Sequence, residues 1–248
     1  MIKFKIGNRI ISENHEPLVI AEIGINHNGN LDSAISIVDS AIKAGVEIIK
    51  HQTHVVDDEM ADAAKKVIPG NSNKSIYQIV NEMALSEKDE KKLMNYVISK
   101  KRIFFSSPFS RKAVDRLEKF GVPLYKIGSG ECNNYPFVEY ICKKKKPIIL
   151  STGMNTLKTI EPAVKIIRKY KLPYALLHCT NIYPTPHKLV RLNAMLELKK
   201  RFKDAVIGLS DHSETIYTAL GAVSMGASIV EKHFITSKKT KGPDVPSS

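Results

Sequence analysis

The sequence predicts an α/β chain whose strands close into a (β/α)8 TIM barrel. Two observations carry this. Eight short β-branched, apolar runs alternate with helical patterns, and the runs are nearly continuous in apolar residues, as strands covered on both faces must be. At 248 residues the chain is long enough for one such barrel as a single domain.

The elements follow in order. IKFKIG and RIIS, on either side of Asn8, read as a hairpin within residues 1–16 that caps the bottom of the barrel, leaving 17–248 for the barrel itself. The strand runs are LVIAEIG (18–24), VEIIKHQT (46–53), RIFFSSPF (102–109) and LYKIGSG (124–130). PIILSTG (147–153), YALLHCT (174–180), AVIGLSD (205–211) and SIVEKHFI (228–235) complete the eight. Between them, stretches such as LDSAISIVDSAIKAG (31–45) and TLKTIEPAVKIIRKY (156–170) place apolar residues at three- and four-residue spacing. Asn30 and Asp32 mark one helix start, Ser86 with Asp89 reads as a capping box, and Gly45, Gly121 and Gly226 punctuate helix ends. Residues 54–85 are too long for a simple connection and suit an active-site loop. After the last strand an eighth helix is expected, but residues 236–248 carry Gly242, Pro243 and Pro246, so the reading is of a barrel truncated after its eighth strand.

Composition narrows the function. The net charge of +13 comes largely from short lysine clusters at 143–146, 199–203 and 238–241. Without interleaved aromatics or a recognised motif these read as solvated surface rather than a nucleic-acid site, leaving an anionic substrate as the partner the charge suits. No apolar run reaches membrane-spanning length, and MIKFKIGNRIIS alternates too regularly for a targeting signal. Cys132, Cys142 and Cys179 have no paired spacing, which implies reduced thiols in a cytoplasmic protein.

Barrels keep their chemistry at the C-terminal ends of the strands. There the sequence places Glu22; Lys50 and Gln52, which share one face; Ser106 and Ser107; and Lys126, Ser129 and Glu131. Ser151, Asn181, Tyr183, His212, Glu231 and His233 follow on the later strands. Two inward lysines are costly unless they meet anions, and with the hydroxyls of Ser107, Ser129 and Ser151 they describe a phosphate or carboxylate pocket. The competing reading has the lysines snorkelling past the rim or pairing with Glu22 and Glu131. His212 and His233, one βα unit apart, form a candidate divalent-metal site. His27, His51, His54, His178 and His187 read as structural or surface groups, His178 packing within its strand.

AEIGINHNGN, KHQT, SSPF, YKIGSGE, STGMN, TNIYPTP, GLSDH, EKHF and GPD occur in that order, and together they resemble the sialic acid synthase family over residues 17–248. KHQTHVVDDEM, GECNNYP and TPHKLVRLNAMLELKK resemble its bacterial N-acetylneuraminate branch in particular; legionaminate and pseudaminate synthases are relatives. The resemblance implies a carbon–carbon bond-forming transferase that condenses phosphoenolpyruvate with N-acetylmannosamine or a related N-acyl hexosamine. It implies that Lys50, Ser107, Lys126, Ser129, Ser151 and Asn181 hold phosphoenolpyruvate, and that Gln52, Asn71, Glu131, Tyr183 and Asp244 line the sugar side. Glu22 becomes the general acid/base, with His233 beside it among the catalytic residues; His212 and His233 become ligands of a divalent metal, Mn2+ first, with Mg2+ or Co2+ as alternatives. It also implies a homodimer in full-length members, weaker in this chain; no membrane and no nucleic-acid partner are expected from the hydropathy and charge above.

Family members continue past GPD through the eighth helix and a small antifreeze-like (SAF) domain that reaches over the partner's barrel. This sequence stops before them, so weakened sugar binding and exposed apolar flanks on the first and seventh helices are expected. Two other readings compete: a non-catalytic remnant that binds phosphoenolpyruvate or metal, and a metal-dependent hydrolase, against which the fifth strand tip offers no histidine. Heptulosonate- and octulosonate-phosphate synthases share the chemistry but would need more basic groups for a sugar phosphate.

Overall fold

The computed structural model describes residues 4–69, 73–240, 242 and 244–248. Strands β1 (Phe4–Ile6) and β2 (Arg9–Ile11) pair antiparallel around Gly7, whose φ of +56° suits a residue without a Cβ. Then β3 (Leu18–Gly24), α1 (Leu31–Lys43) and β4 (Ile48–Thr53) form the first βαβ unit. The long connection after β4 holds α2 (Val56–Glu59) and α3 (Ile76–Met83) before α4 (Glu87–Ser99). Regular alternation resumes with β5 (Ile103–Pro108), α5 (Arg111–Phe120), β6 (Tyr125–Ile127) and α6 (Tyr135–Cys142). It continues through β7 (Ile148–Ser151), α7 (Leu157–Lys169), β8 (Tyr174–Cys179) and α8 (Asn193–Arg201). The last elements are β9 (Val206–Asp211), α9 (Tyr217–Ser224) and β10 (Ile229–His233).

The eight strands β3 to β10 form one parallel sheet in the order β5-β4-β3-β10-β9-β8-β7-β6. β10 pairs with β3 on one side and β9 on the other, so the last strand closes on the first, and β5 lies beside β6 to complete the ring. The expected barrel and its eight strands are therefore present. Helix starts follow local chemistry: Asn30 accepts from the Ser33 N–H, and Ser86 from the Asp89 N–H. One detail differs from expectation. Ser86 and Asp89 do not form a reciprocal box, because the Asp89 carboxylate takes the Ser86 hydroxyl instead of a backbone N–H. A reciprocal box is present at Ser75 and Gln78, where α3 begins.

Side chains divide by strand parity. In the lower barrel Leu18, Ile20, Ile48, Phe105, Ile149, Leu177 and Ile229 point inward, and Phe4, Ile6 and Ile11 of the hairpin close this core from below. In the upper barrel the same inward parity carries Glu22, Lys50, Ser107, Lys126, Ser151, Ser210 and Glu231, all buried. Outward positions pack with the helices in a larger core. The exposed flank expected on the seventh barrel helix is present: Tyr217 and Leu220 of α9 and Val19 on β3 are at least half exposed or nearly so. Along α1, by contrast, Leu31, Ile35 and Ile42 are partly buried against the core.

Gly208 shows how little space the barrel centre leaves. A Cβ there would sit 2.4 Å from the Ile229 carbonyl oxygen and 2.7 Å from Leu177 Cδ2. Gly208→Ala is therefore expected to lower stability by about 1–3 kcal/mol through overpacking. Chemical denaturation with a midpoint equal to the wild type would refute this tight packing.

Candidate active site

Register brings the site together. Glu22 lies opposite Lys50 on β4 and His233 on β10, Gln52 opposite Ser107, and Glu231 opposite Ser210. These groups line a cavity of about 160 Å3 at the C-terminal mouth of the barrel, with Phe109, Lys126, Ser129, Ser151, Cys179, Asn181, Tyr183 and His212. The volume is below the roughly 300–1,000 Å3 usual for drug-sized ligands, which suits a compact anion.

Charge inside is balanced. Lys50 Nζ lies 2.5 Å from Glu22 Oε2 and 3.7 Å from Glu231 Oε1; Lys126 Nζ lies 3.5 Å from Glu231 Oε1. Lys50 also donates to Ser107 Oγ at 3.3 Å, and Lys126 to Ser151 Oγ at 2.8 Å. The lysines thus pair with Glu22 and Glu231. Glu131, the partner named in the competing reading of the sequence, instead accepts from Asn134 in a turn outside the cavity lining.

Burial sets the protonation tendencies. It pushes the Glu22 carboxyl above the usual range against the pull of Lys50, with Glu231 adding to the rise. It opposes ionisation of Glu231 too, but Lys126 and Lys50 outweigh it and hold that carboxyl down at about 2. Burial works against the Lys50 charge, and Glu22 and Glu231 more than restore it; Lys126, with less compensation, is lowered.

Four buried polar atoms at this mouth have no hydrogen-bond partner: Glu22 Oε2, Glu231 Oε2, His233 Nδ1 and Asp244 Oδ2. Of these, Glu22 Oε2 is held by the ion pair with Lys50 at 2.5 Å and His233 Nδ1 stands 3.4 Å from Asp244 Oδ2, so Glu231 Oε2 is the atom with the least local compensation. Orphaned buried atoms are rare in proteins and cluster where a ligand, ion or water completes them. Gly24 leaves room for this convergence, since a Cβ there would fall 2.8 Å from Asp244 Oδ2.

The His212 and His233 rings are 5.5 Å apart, and Tyr183 lies over His212 at 4.0 Å. Burial holds both imidazoles neutral, His233 down to about 4. His212 Nδ1 donates to the Thr180 carbonyl at 3.0 Å, leaving Nε2 as the bare nitrogen, the arrangement metal-bound histidines use. Among the described residues no group of three or more His, Cys, Asp or Glu forms a cage. The pair therefore fits a cation held by two protein ligands with other positions open.

Of the remaining sequence-predicted residues, Asp244 stands beside His233 and Gly24, and Asn71 lies outside the described residues. Glu231 was passed over as a site residue although it shares strand parity with His233. Phe109 and Cys179 carried no chemical signal; they line the cavity by position. Among the other histidines, His178 is buried and bonds the Val190 carbonyl, His187 is exposed beside Thr215, and His27 and His51 are buried and meet at 3.1 Å.

Glu231→Gln leaves two buried ammonium groups with one carboxylate. A loss of about 3–5 kcal/mol in unfolding free energy is expected. Unchanged stability by urea titration would show that the lysines do not depend on Glu231.

Comparison with known proteins gives the chain its family. Residues 37–248 match the NeuB family. The N,N'-diacetyllegionaminic acid synthase of Campylobacter jejuni is 38% identical over 234 residues, covering 92% of this chain and 70% of that protein. Human N-acetylneuraminate-9-phosphate synthase is 31% identical over 240 residues, covering 95% and 67%. The crystal structure of N-acetylneuraminic acid synthetase from Leptospira borgpetersenii, in complex with citrate, superposes with a TM-score of 0.90 at 32% identity, covering 99% of this chain and 82% of that one.

Proposed function

Since the chain belongs to the NeuB family, we propose that it condenses phosphoenolpyruvate with the open-chain aldehyde of an N-acyl hexosamine and water, giving a nonulosonic acid and phosphate. The observation that carries this reading is the layer of Lys50, Lys126 and serine hydroxyls around a small cavity, with the buried Glu22 carboxylate at its edge. The reaction requires C3 of the enolpyruvate to bond the aldehyde carbon, water to add at C2, and phosphate to leave with cleavage of the C2–O bond.

Lys50 and Lys126 spread their charge over phosphate and carboxylate oxygens, drawing partly away from Glu22 and Glu231 as the anion enters. Ser107, Ser129, Ser151 and Asn181 contribute polar groups of fixed direction around it. Glu22 moves a proton at the water that adds to C2; its Oε1 accepts from Gln52 Nε2 at 2.9 Å, which holds the carboxylate in place. Tyr183, Gln52 and Asp244 take the sugar side, to which the family resemblance adds Asn71 and Glu131. His212 and His233 would hold a divalent cation, Mn2+ before Mg2+ or Co2+, which when bound would polarise the aldehyde as a Lewis acid. N-acetylmannosamine is the acceptor the motifs favour, while the legionaminic acid synthase named above supports a diacetamido hexose as the alternative.

Glu22→Gln is expected to lower turnover by at least about 10²- to 10⁴-fold, the usual share of general acid–base catalysis, while phosphoenolpyruvate still binds. Near-normal phosphate release by this variant would remove Glu22 from the chemistry. Dialysis against chelator should silence the enzyme and Mn2+ should restore it; full activity in the metal-free protein would refute the histidine site. Product masses from phosphoenolpyruvate, Mn2+ and a panel of N-acetylmannosamine and diacetamido hexoses identify the acceptor, and no condensation product with any sugar would overturn the proposed reaction.

A further inference from the structure

Behind Gln52 a second line of buried polar groups leads away from the cavity. His54 Nε2 lies 3.3 Å from Gln52 Oε1, and His54 Nδ1 lies 2.8 Å from Glu59 Oε2 on α2. The His54 ring stacks on Phe109 with centroids 4.5 Å apart and an interplanar angle of 11°. His54 and Glu59 side chains are only 5% and 11% exposed, so their partners are these groups rather than bulk water.

We propose that His54, anchored by Glu59, is a positioning residue that fixes which end of the Gln52 amide faces Glu22. A glutamine amide has one accepting and one donating end, and the two are nearly equal in shape. A carboxylate can use only the donating end, and Gln52 does present Nε2 to Glu22. Its Oε1 must then find a donor, which His54 Nε2–H supplies. The other nitrogen of the same ring, Nδ1, is engaged by Glu59 Oε2 at 2.8 Å, which leaves Nε2 for Gln52. Were His54 to present a bare Nε2, the amide would turn and bring its carbonyl oxygen against the Glu22 carboxylate. Phe109, itself part of the cavity wall, keeps the ring in the plane that reaches both partners.

The inference rests on the proposed reaction for its kinetic consequence but not for its structural one, so two readouts separate them. In 15N-histidine-labelled protein, the His54 ring, assigned by its loss in His54→Ala, should carry a proton on Nε2, and Glu59→Gln should lower the share of rings that do. A wild-type ring whose Nε2 is bare overturns the proposal whatever the enzyme does. With phosphoenolpyruvate and N-acetylmannosamine as probes, His54→Ala and Glu59→Gln should each lower kcat by about 10- to 100-fold, the scale of a misplaced catalytic group, with the KM for phosphoenolpyruvate unchanged. In a Gln52→Ala background, His54→Ala should cost nothing further, because its effect passes through the missing amide. Additive losses, or an equal rise in the KM for phosphoenolpyruvate, would mark His54 as merely structural. If the wild type turns over no sugar, the proposed reaction fails and the ring protonation still decides the positioning role.

Discussion

Two lysines and two glutamates share the upper layer of a closed eight-stranded barrel, and the rest of the site is arranged around their balance. An ammonium that cannot reach bulk water needs a carboxylate within a few ångströms. Glu231 meets this need twice, since its Oε1 faces both Lys50 and Lys126 and also accepts from Ser210. Below this layer the interior is apolar to the hairpin, so the lower half supplies burial and the upper half can carry charge. An anionic ligand therefore does not enter a cavity of free cations. It must draw the lysines away from carboxylates that already hold them, and the hydroxyls of Ser107, Ser129 and Ser151 reduce the cost of that exchange by offering neutral partners at fixed positions.

β4 carries the heaviest load, because its upper half is polar on both faces. Inward it presents Lys50 and Gln52. Outward it presents His51 and Thr53, which would be an unusual choice beneath helices without partners. Glu90 of α4 reaches in to meet them: His51 Nδ1 donates to it at 3.2 Å, Thr53 bonds it closely, and Arg116 of α5 lies 3.2 Å from its other oxygen. Burial opposes the Glu90 charge, yet His51, Thr53 and Arg116 together hold its carboxyl below the usual range. His27 adds its ring to His51, and Ser106 of β5 bonds Thr53 at 2.7 Å. This outer network fixes the strand whose inner face works on the ligand. A polar run such as KHQTH is tolerated here because each alternate residue has an assigned partner on its own side.

Much of this was legible in the sequence, for one reason. A strand has period two, so parity alone sends Lys50 with Gln52, and Glu231 with His233, to the same side of the sheet. The eight apolar runs likewise implied eight parallel strands. What parity cannot supply is the partner across a closure. Glu231 and Lys50 are brought together only because β10 pairs with β3 and β3 with β4, so the sequence reading gave the lysines Glu131 as a possible partner instead. Capping was ambiguous for a similar reason: Ser86 and Asp89 have the spacing of a box, but a short aspartate meets the serine hydroxyl before it reaches the backbone. His54 looked like an ordinary structural histidine because both of its polar partners and its stacking partner depend on how residues 54–59 fold back over the barrel.

That fold-back explains how a loop can belong to the chemistry. The acidic run of α2 points in three directions. Asp57 accepts from Tyr77 on α3 at 2.6 Å, Asp58 accepts from the Lys112 backbone N–H in the first turn of α5 at 2.9 Å, and Glu59 faces His54. The first contact ties α2 to the rest of the long connection. The second places a negative charge at the positive end of a barrel helix, where the helix dipole favours it. The third reaches the cavity through Gln52. One short helix thus joins the segment beside the barrel mouth to the carboxylate of Glu22. A substrate that shifts this segment has a direct mechanical route to the orientation of the Gln52 amide, and so to the group proposed to move the proton.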